Sequence, residues 1–187
     1  MAVDELEGGP RIRPLYRREY EALAAQGFFA DEDVELLDGR LVLAAEEGPS
    51  HAAINSRLTR ILVEGVPATE GDVRVGSPLA ISDLSLPHPD FAVVEPTGGY
   101  RVAHPTTASL VIEVAHSSRR TDLGLKAALY AAAGLADYWV VDLGRDEVVV
   151  HREPAGTSFA SVTRHREGVV HALHHTGVAV DVAQLLR

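Results

Sequence analysis

The sequence predicts an α/β (α+β) fold, a mixed β-sheet flanked by helices, and three observations carry that reading. The runs FAVV at 91–94 and SLVIEVA at 109–115 are apolar on both faces, as strands in the middle of a covered sheet are. Paired apolar runs flank tight polar links at Asp38-Gly39 and Gly144-Arg145-Asp146, which is the signature of hairpins. Between Ser109 and Leu143 the chain reads strand, helix, strand, so a crossover unit is mixed with the hairpins.

Taken in order, residues 1–13 read as a flexible N-terminal arm, and residues 14–187 as one domain. A chain of 187 residues with 46% hydrophobic content buries one sizeable core without needing a second. Tyr16, Tyr20, Leu23 and Gly27 recur at helical spacing, with Gln26-Gly27 as the stop. VELLDGRLVLA is the first hairpin. Gly48-Pro49-Ser50 opens a second helix whose apolar stripe is Ile54, Leu58, Ile61 and Leu62, leaving Arg57 and Arg60 off it. Val73–Ile81 is extended and broken at Gly76-Ser77-Pro78, and Pro87-His88-Pro89 leads rigidly into Asp90 and FAVV. Gly98-Gly99 joins FAVV to SLVIEVA. DLGLKAALYAAAG is a helix with Thr121 as its N-cap and Gly134 as its stop. Asp137–Leu143 and Glu147–Glu153 form the second hairpin, two further strands flank Arg166-Glu167-Gly168, and a short helix closes the chain at Asp181–Leu186.

Composition excludes several classes. No stretch approaches the roughly 20 apolar residues of a membrane span, and the acidic opening MAVDELEGGPRIRP lacks the order of a secretory signal, so a cytoplasmic location is expected. With no cysteine, any metal is held by oxygen or imidazole. No Walker A or G-x-G-x-x-G pattern supports nucleotide binding, and Ser117-Ser118 lies in no G-x-S-x-G elbow. The net charge of −10 opposes nonspecific binding to phosphate backbones, and residues 1–47 alone carry 12 of the 27 acids against five of the 17 basic residues. Sixteen of those basic residues are Arg and one, Lys126, is Lys. A single Lys in such a background suggests a position where a compact point charge is needed and a guanidinium does not serve, the alternative being drift at a solvated helix position.

The residues that carry chemistry cluster around SLVIEVA. By strand alternation Glu113 shares a face with Val111 and Ala115, so a carboxylate is set in an apolar strand and needs a cation, a metal or a proton. Asp90, at the mouth of FAVV, has the same requirement. Two acids at the ends of adjacent central strands make an oxygen-rich site for Mg²⁺ or Mn²⁺. Asp122, Lys126 and Tyr130, spaced i, i+4, i+8, lie near one helix face, and Lys126 is aimed back at the strand end. Two carboxylates, an ammonium and a divalent ion suit phosphodiester hydrolysis. The competing reading of Glu113 and Lys126 is a structural ion pair between helix and sheet.

The segments HPDFAVVEP, LVIEVAHSSRRTDLGLKAALYAAAGLADYWVVDL and VELLDGRLV together resemble the Uma-two family of endonucleases, within the PD-(D/E)xK nuclease superfamily, from about Tyr16 to Leu143. The resemblance implies a restriction-endonuclease-like fold and Mg²⁺- or Mn²⁺-dependent hydrolysis of DNA. It matches Asp90 and Glu113 to the superfamily's two acids. The superfamily pattern places Lys two residues after the second acid, where this chain has Ala115, and the resemblance moves that role to Lys126 on the following helix. It also implies that Glu35 is an additional N-terminal acid of the site and His51 the histidine that opens the second helix. The alternative for Glu35 is an exposed strand position, and for His51 a surface one.

Other signals point to no chemistry. His171, His174 and His175 match no common zinc spacing. Arg57, Arg60, Arg119 and Arg120 are candidates for a local basic patch beside the site. A homodimer is expected by analogy with nucleases that cut two strands. Two alternatives to a DNA endonuclease stand beside it: a non-catalytic binding protein that keeps the fold, favoured by the acidic charge, and a metal-dependent hydrolase of a small phosphoester.

Overall fold

In the computed structural model, residues 12–44, 48–96 and 103–187 are described. The expected arm at 1–13 falls mainly outside them, as does the Gly98-Gly99 loop. Helix α1 (Arg17–Ala25) is followed by β1 (Val34–Leu37) and β2 (Arg40–Leu43), α2 (Pro49–Gly65), β3 (Asp72–Val75), β4 (Phe91–Val94) and β5 (Leu110–Ala115). A helical segment then runs through α3 (Arg119–Thr121), a π-helical turn (Asp122–Lys126) and α4 (Ala127–Ala132). The chain finishes with β6 (Asp137–Asp142), β7 (Glu147–Ala155), β8 (Ser158–His165), β9 (Val169–His171), β10 (Ala179–Asp181) and α5 (Val182–Leu185).

The main sheet has the order β3-β4-β5-β6-β7-β8. Its one parallel pair is β5 with β6, the two strands joined by the α3–α4 crossover, and every other pair is antiparallel. This is the mixed sheet that doubly apolar strands and hairpins predict, and β4, β5 and β6 are buried along their whole length. One face, with Leu110, Ile112 and Val114, packs on Ile54, Leu58 and Leu62 of α2 and on β9, β10 and α5. The other, with Val111 and Ala115, packs on Tyr130 and Ala127 of the crossover helix. Both stripes follow the alternation read from SLVIEVA.

The β1–β2 hairpin is a separate two-stranded sheet, tied to the loop before β4 by the Leu86 N–H donating to the Leu36 carbonyl at 2.8 Å. Its turn places Asp38 and Gly39 at φ 50° and 73°, and a Cβ on Gly39 would collide with Pro14. Gly65, at the end of α2, and Gly177 similarly allow two backbones to touch, because a Cβ on either would overlap the other's carbonyl group.

Two local expectations are corrected. Thr121 is not an N-cap: the helix begins at Arg119, after Ser118, and Thr121 lies inside it. The following turn is π-helical, with the Ala127 N–H reaching the Asp122 carbonyl, so Asp122 and Lys126 sit in a widened turn rather than a regular α-helix. The two strands expected on either side of Arg166-Glu167-Gly168 are present as β8, which completes the main sheet, and β9, which pairs with β10.

Candidate active site

A cavity of about 460 Å³ opens where the C-terminal end of β5 meets the residue before β4, the first turn of α2, β1 and the π-helical turn. Glu35, His51, Asp90, Glu113 and Lys126 all line it, so residues spread over 92 positions of the chain are gathered in one place. Glu35 and His51 are buried, against the exposed alternatives.

Lys126 is the hub. Its Nζ donates to Glu35 Oε1 at 3.0 Å and to Glu113 Oε1 at 3.1 Å, and lies 3.8 Å from Asp122 Oδ1. The Tyr130 hydroxyl donates to the same Glu113 oxygen at 3.0 Å. Burial raises the Glu113 carboxyl well above its ordinary range; Lys126 pulls it down, but Asp122, Asp90 and Glu35 push it up again. Burial pulls Lys126 down, yet Glu113, Glu35 and Asp122 outweigh it, and the ammonium is held above its ordinary value. Lys126 is therefore a fixed positive charge and not a base near neutral pH.

Asp90 lines the same cavity. Its Oδ2 accepts the Val114 N–H at 2.7 Å, which ties the mouth of β4 to β5 next to Glu113. Its Oδ1 lies 3.1 Å from His51 Nε2 and 3.4 Å from Asn55 Nδ2. Asn55, one turn after His51, also donates to His51 Nδ1 at 3.2 Å, so a neutral imidazole carries its proton on Nε2, facing Asp90.

The chain matches the Uma2 family, described as "Putative restriction endonuclease", over residues 17–183. It belongs to that family. Among solved structures it is similar to a putative nuclease of the DUF820 group from Anabaena variabilis, with a TM-score of 0.67 at 16% identity over 82% of this chain and 89% of that one. At that identity the likeness shows the shared fold. No curated protein matches it in sequence.

For a Uma2 chain the question is whether these side chains suit a divalent cation. Asp33, Glu35, Asp90, Glu113 and Asp122 line one cavity with a single ammonium, Lys126, so a bound cation would find more carboxyl groups than cationic partners there. Among the described residues no group of three or more His, Asp or Glu side chains is arranged to hold an ion. Asp90 and Glu113 both line this cavity, and by their chemistry such oxygen donors suit Mg²⁺, which takes one or two carboxylates and completes its shell with water or substrate oxygens.

Sequence reasoning missed the contacts of Asn55 and Tyr130 and the placement of His88 on the cavity wall. Tyr130 had a signal, its i+4 spacing from Lys126, and so did Asn55, its i+4 spacing from His51. The basic patch fares differently. Arg57 donates to the carbonyls of Leu185 and Arg187, and Arg119 pairs with the buried Asp142, so both are committed within the fold. His175 hydrogen-bonds Ser109 at 2.7 Å, as a packed histidine does.

Proposed function

We propose that this Uma2 chain, as one domain over residues 14–187, is a Mg²⁺- or Mn²⁺-dependent endonuclease that hydrolyses DNA phosphodiester bonds in the cytoplasm as a homodimer. The observation that carries the reading is the single Lys of the sequence, buried against Glu113 and Glu35 in a cavity that also holds Asp90. Asp90 and Glu113 would hold the ion. When bound, it supplies Lewis acidity at the phosphoryl group and a lowered pKa for the attacking water.

The chain's own groups supply the rest. The Lys126 ammonium cannot accept a proton near neutral pH, so its role is to stabilise the negative charge that grows on the phosphoryl oxygens. Glu35 anchors that ammonium together with Glu113. His51, with Nδ1 occupied by Asn55 and Nε2 directed at Asp90, orients the Asp90 carboxylate.

The test is cleavage of supercoiled, linear and single-stranded DNA, and of a small phosphodiester, with Mg²⁺ or Mn²⁺ and with chelator. Metal-dependent nicking of the plasmid, lost in Asp90→Ala, is the expected result. Mg²⁺ at about 100 times its Kd should also stabilise wild type by about 2.7 kcal/mol, and Asp90→Ala by nearly nothing. Turnover of only the small ester would move the reading to a phosphoesterase. The second reading, a non-catalytic binding protein on the same fold, draws on the net charge of −10 and the committed Arg57 and Arg119. Absence of both cleavage and a Mg²⁺ response would favour it. Light scattering in solution reads the oligomeric state.

A further inference from the structure

We infer that Tyr130 is a positioning residue for the cation site: its hydroxyl and the Lys126 ammonium together occupy one oxygen of Glu113 and so reserve the other for the ion. This rests on the reading of Glu113 as a metal ligand. Both donors reach Oε1, at 3.0 Å from Tyr130 and 3.1 Å from Lys126, and among the described residues Oε2 accepts no hydrogen bond. A carboxylate gripped by two donors on one oxygen cannot rotate about its terminal bond without breaking both, so the orientation of the second oxygen is fixed before any ion arrives.

The placement of Tyr130 supports a dedicated role. The side chain is fully buried, its ring stacked at a tilt on Tyr138 with centroids 4.8 Å apart, so packing sets the ring and the ring aims the hydroxyl. Tyr138 is a natural control: it is equally buried and its hydroxyl also makes one hydrogen bond, but to the backbone carbonyl of Asp122 at 2.9 Å and not to a carboxylate. A hydroxyl is costly to bury unless it is paired. A phenylalanine would fill the Tyr130 position without that requirement, and what the hydroxyl adds is its bond to Glu113.

The experiment measures Mn²⁺ affinity by calorimetry on the full chain without substrate, so the readout does not depend on turnover. The variants are Tyr130→Phe, Tyr138→Phe, Glu113→Gln and the double variant Glu113→Gln/Tyr130→Phe, each with its melting temperature. Tyr130→Phe should weaken Mn²⁺ binding by about tenfold, the lower end for loss of a group that orients a ligand. Tyr138→Phe should leave it within about twofold at a similar change in melting temperature, and Tyr130→Phe should have no further effect once Glu113 is Gln. Equal losses in the two Tyr variants, or an undiminished effect of Tyr130→Phe in the Glu113→Gln background, would overturn the inference. If Glu113→Gln itself leaves Mn²⁺ affinity unchanged, the ligand assignment falls and the inference with it; if only Tyr130→Phe is silent, the ligand assignment stands alone.

Discussion

Two buried carboxylates on neighbouring central strands have opposite surroundings. Asp137 opens β6 and Glu113 lies near the far end of β5; they are 1% and 3% exposed. Asp137 is saturated: Oδ1 accepts from Trp139 Nε1 at 2.7 Å and Arg152 Nε at 2.9 Å, and Oδ2 accepts from the Leu173 N–H at 2.9 Å and Arg152 Nη2 at 3.5 Å. Glu113 has two donors on a single oxygen and shares its cavity with four other carboxyl groups. One carboxylate closes a structure by tying β6, β7 and the segment after β9 together. The other is buried with only one of its two oxygens held by donors, at a cost, which is how sites differ from struts.

The comparison breaks most visibly under exchange of the two acids. Asp137→Ala strands an indole N–H, a backbone N–H and a guanidinium, and should cost about 3–5 kcal/mol in urea unfolding, with Mn²⁺ affinity and cleavage per folded molecule unchanged. Glu113→Gln should change stability by no more than about 1 kcal/mol, because losing one attraction to Lys126 is offset by relief of burial and of repulsion from Asp122, Asp90 and Glu35. Cleavage should fall by about 10²–10³-fold. If both variants lost stability alike and kept activity, Glu113 would be a second strut.

Lys126 sharpens the same contrast with a smaller effect. Its side chain is 8% exposed, so Lys126→Ala leaves Glu113 and Glu35 without their cation and should cost about 3 kcal/mol, in place of the tolerance a helix surface would show. Lys126→Arg keeps the charge but must fit a planar fork among oxygens 3.0, 3.1 and 3.8 Å from Nζ, and overpacking of that kind costs about 1–3 kcal/mol. Both variants should lose cleavage. Retention of the proton does not distinguish the two residues here, because Lys126 is itself held protonated; size does. Full activity in Lys126→Arg, with stability unchanged, would reduce the position to its charge alone.

How much of this was legible in sequence follows from the range of each signal. Strand alternation placed Glu113 on its face, the Asp38-Gly39 and Gly144–Asp146 links fixed two hairpins, and Gly134, at φ 75°, ended the crossover helix as expected. Residue chemistry and the resemblance together singled out Asp90, Glu113 and Lys126, the resemblance alone singled out Glu35 and His51, and all five line one cavity. Three features were not legible. The π-helical turn has no local signature, since DLGLK reads as ordinary helix. The fate of Arg57 depends on the chain's C-terminal carbonyls, 128 and 130 residues away in sequence. The start of the crossover helix at Arg119 was hidden because Thr121 is an equally good cap by residue type.

The mildest test contrasts the acidic cavity with the histidine face of the sheet. His151, 6% exposed, packs between Tyr138 and Phe159 and donates its Nδ1 proton to the Tyr138 carbonyl at 3.3 Å. Burial lowers its pKa below the ordinary 6.5, the Tyr138 carbonyl opposes this, and Arg164 adds to it. A histidine depressed in the folded state binds its proton first in the unfolded state, so unfolded chains hold more protons between the depressed value and 6.5. Its contribution to stability is therefore complete above 6.5 and is lost as pH falls through that window. The raised carboxyls of Glu113 and Asp122 work in the opposite sense, because the folded state holds their protons longer, so total stability against pH mixes the two regions. The difference between wild type and His151→Phe isolates one of them: the ring still fills the space, but the titration is gone. Measured by urea unfolding at pH 7.5 and 5.5, wild type should lose ground to His151→Phe on acidification. A gap that stays constant between those pH values would mean that His151 titrates alike in folded and unfolded chains, and that burial against Tyr138 and Phe159 costs its charged form nothing.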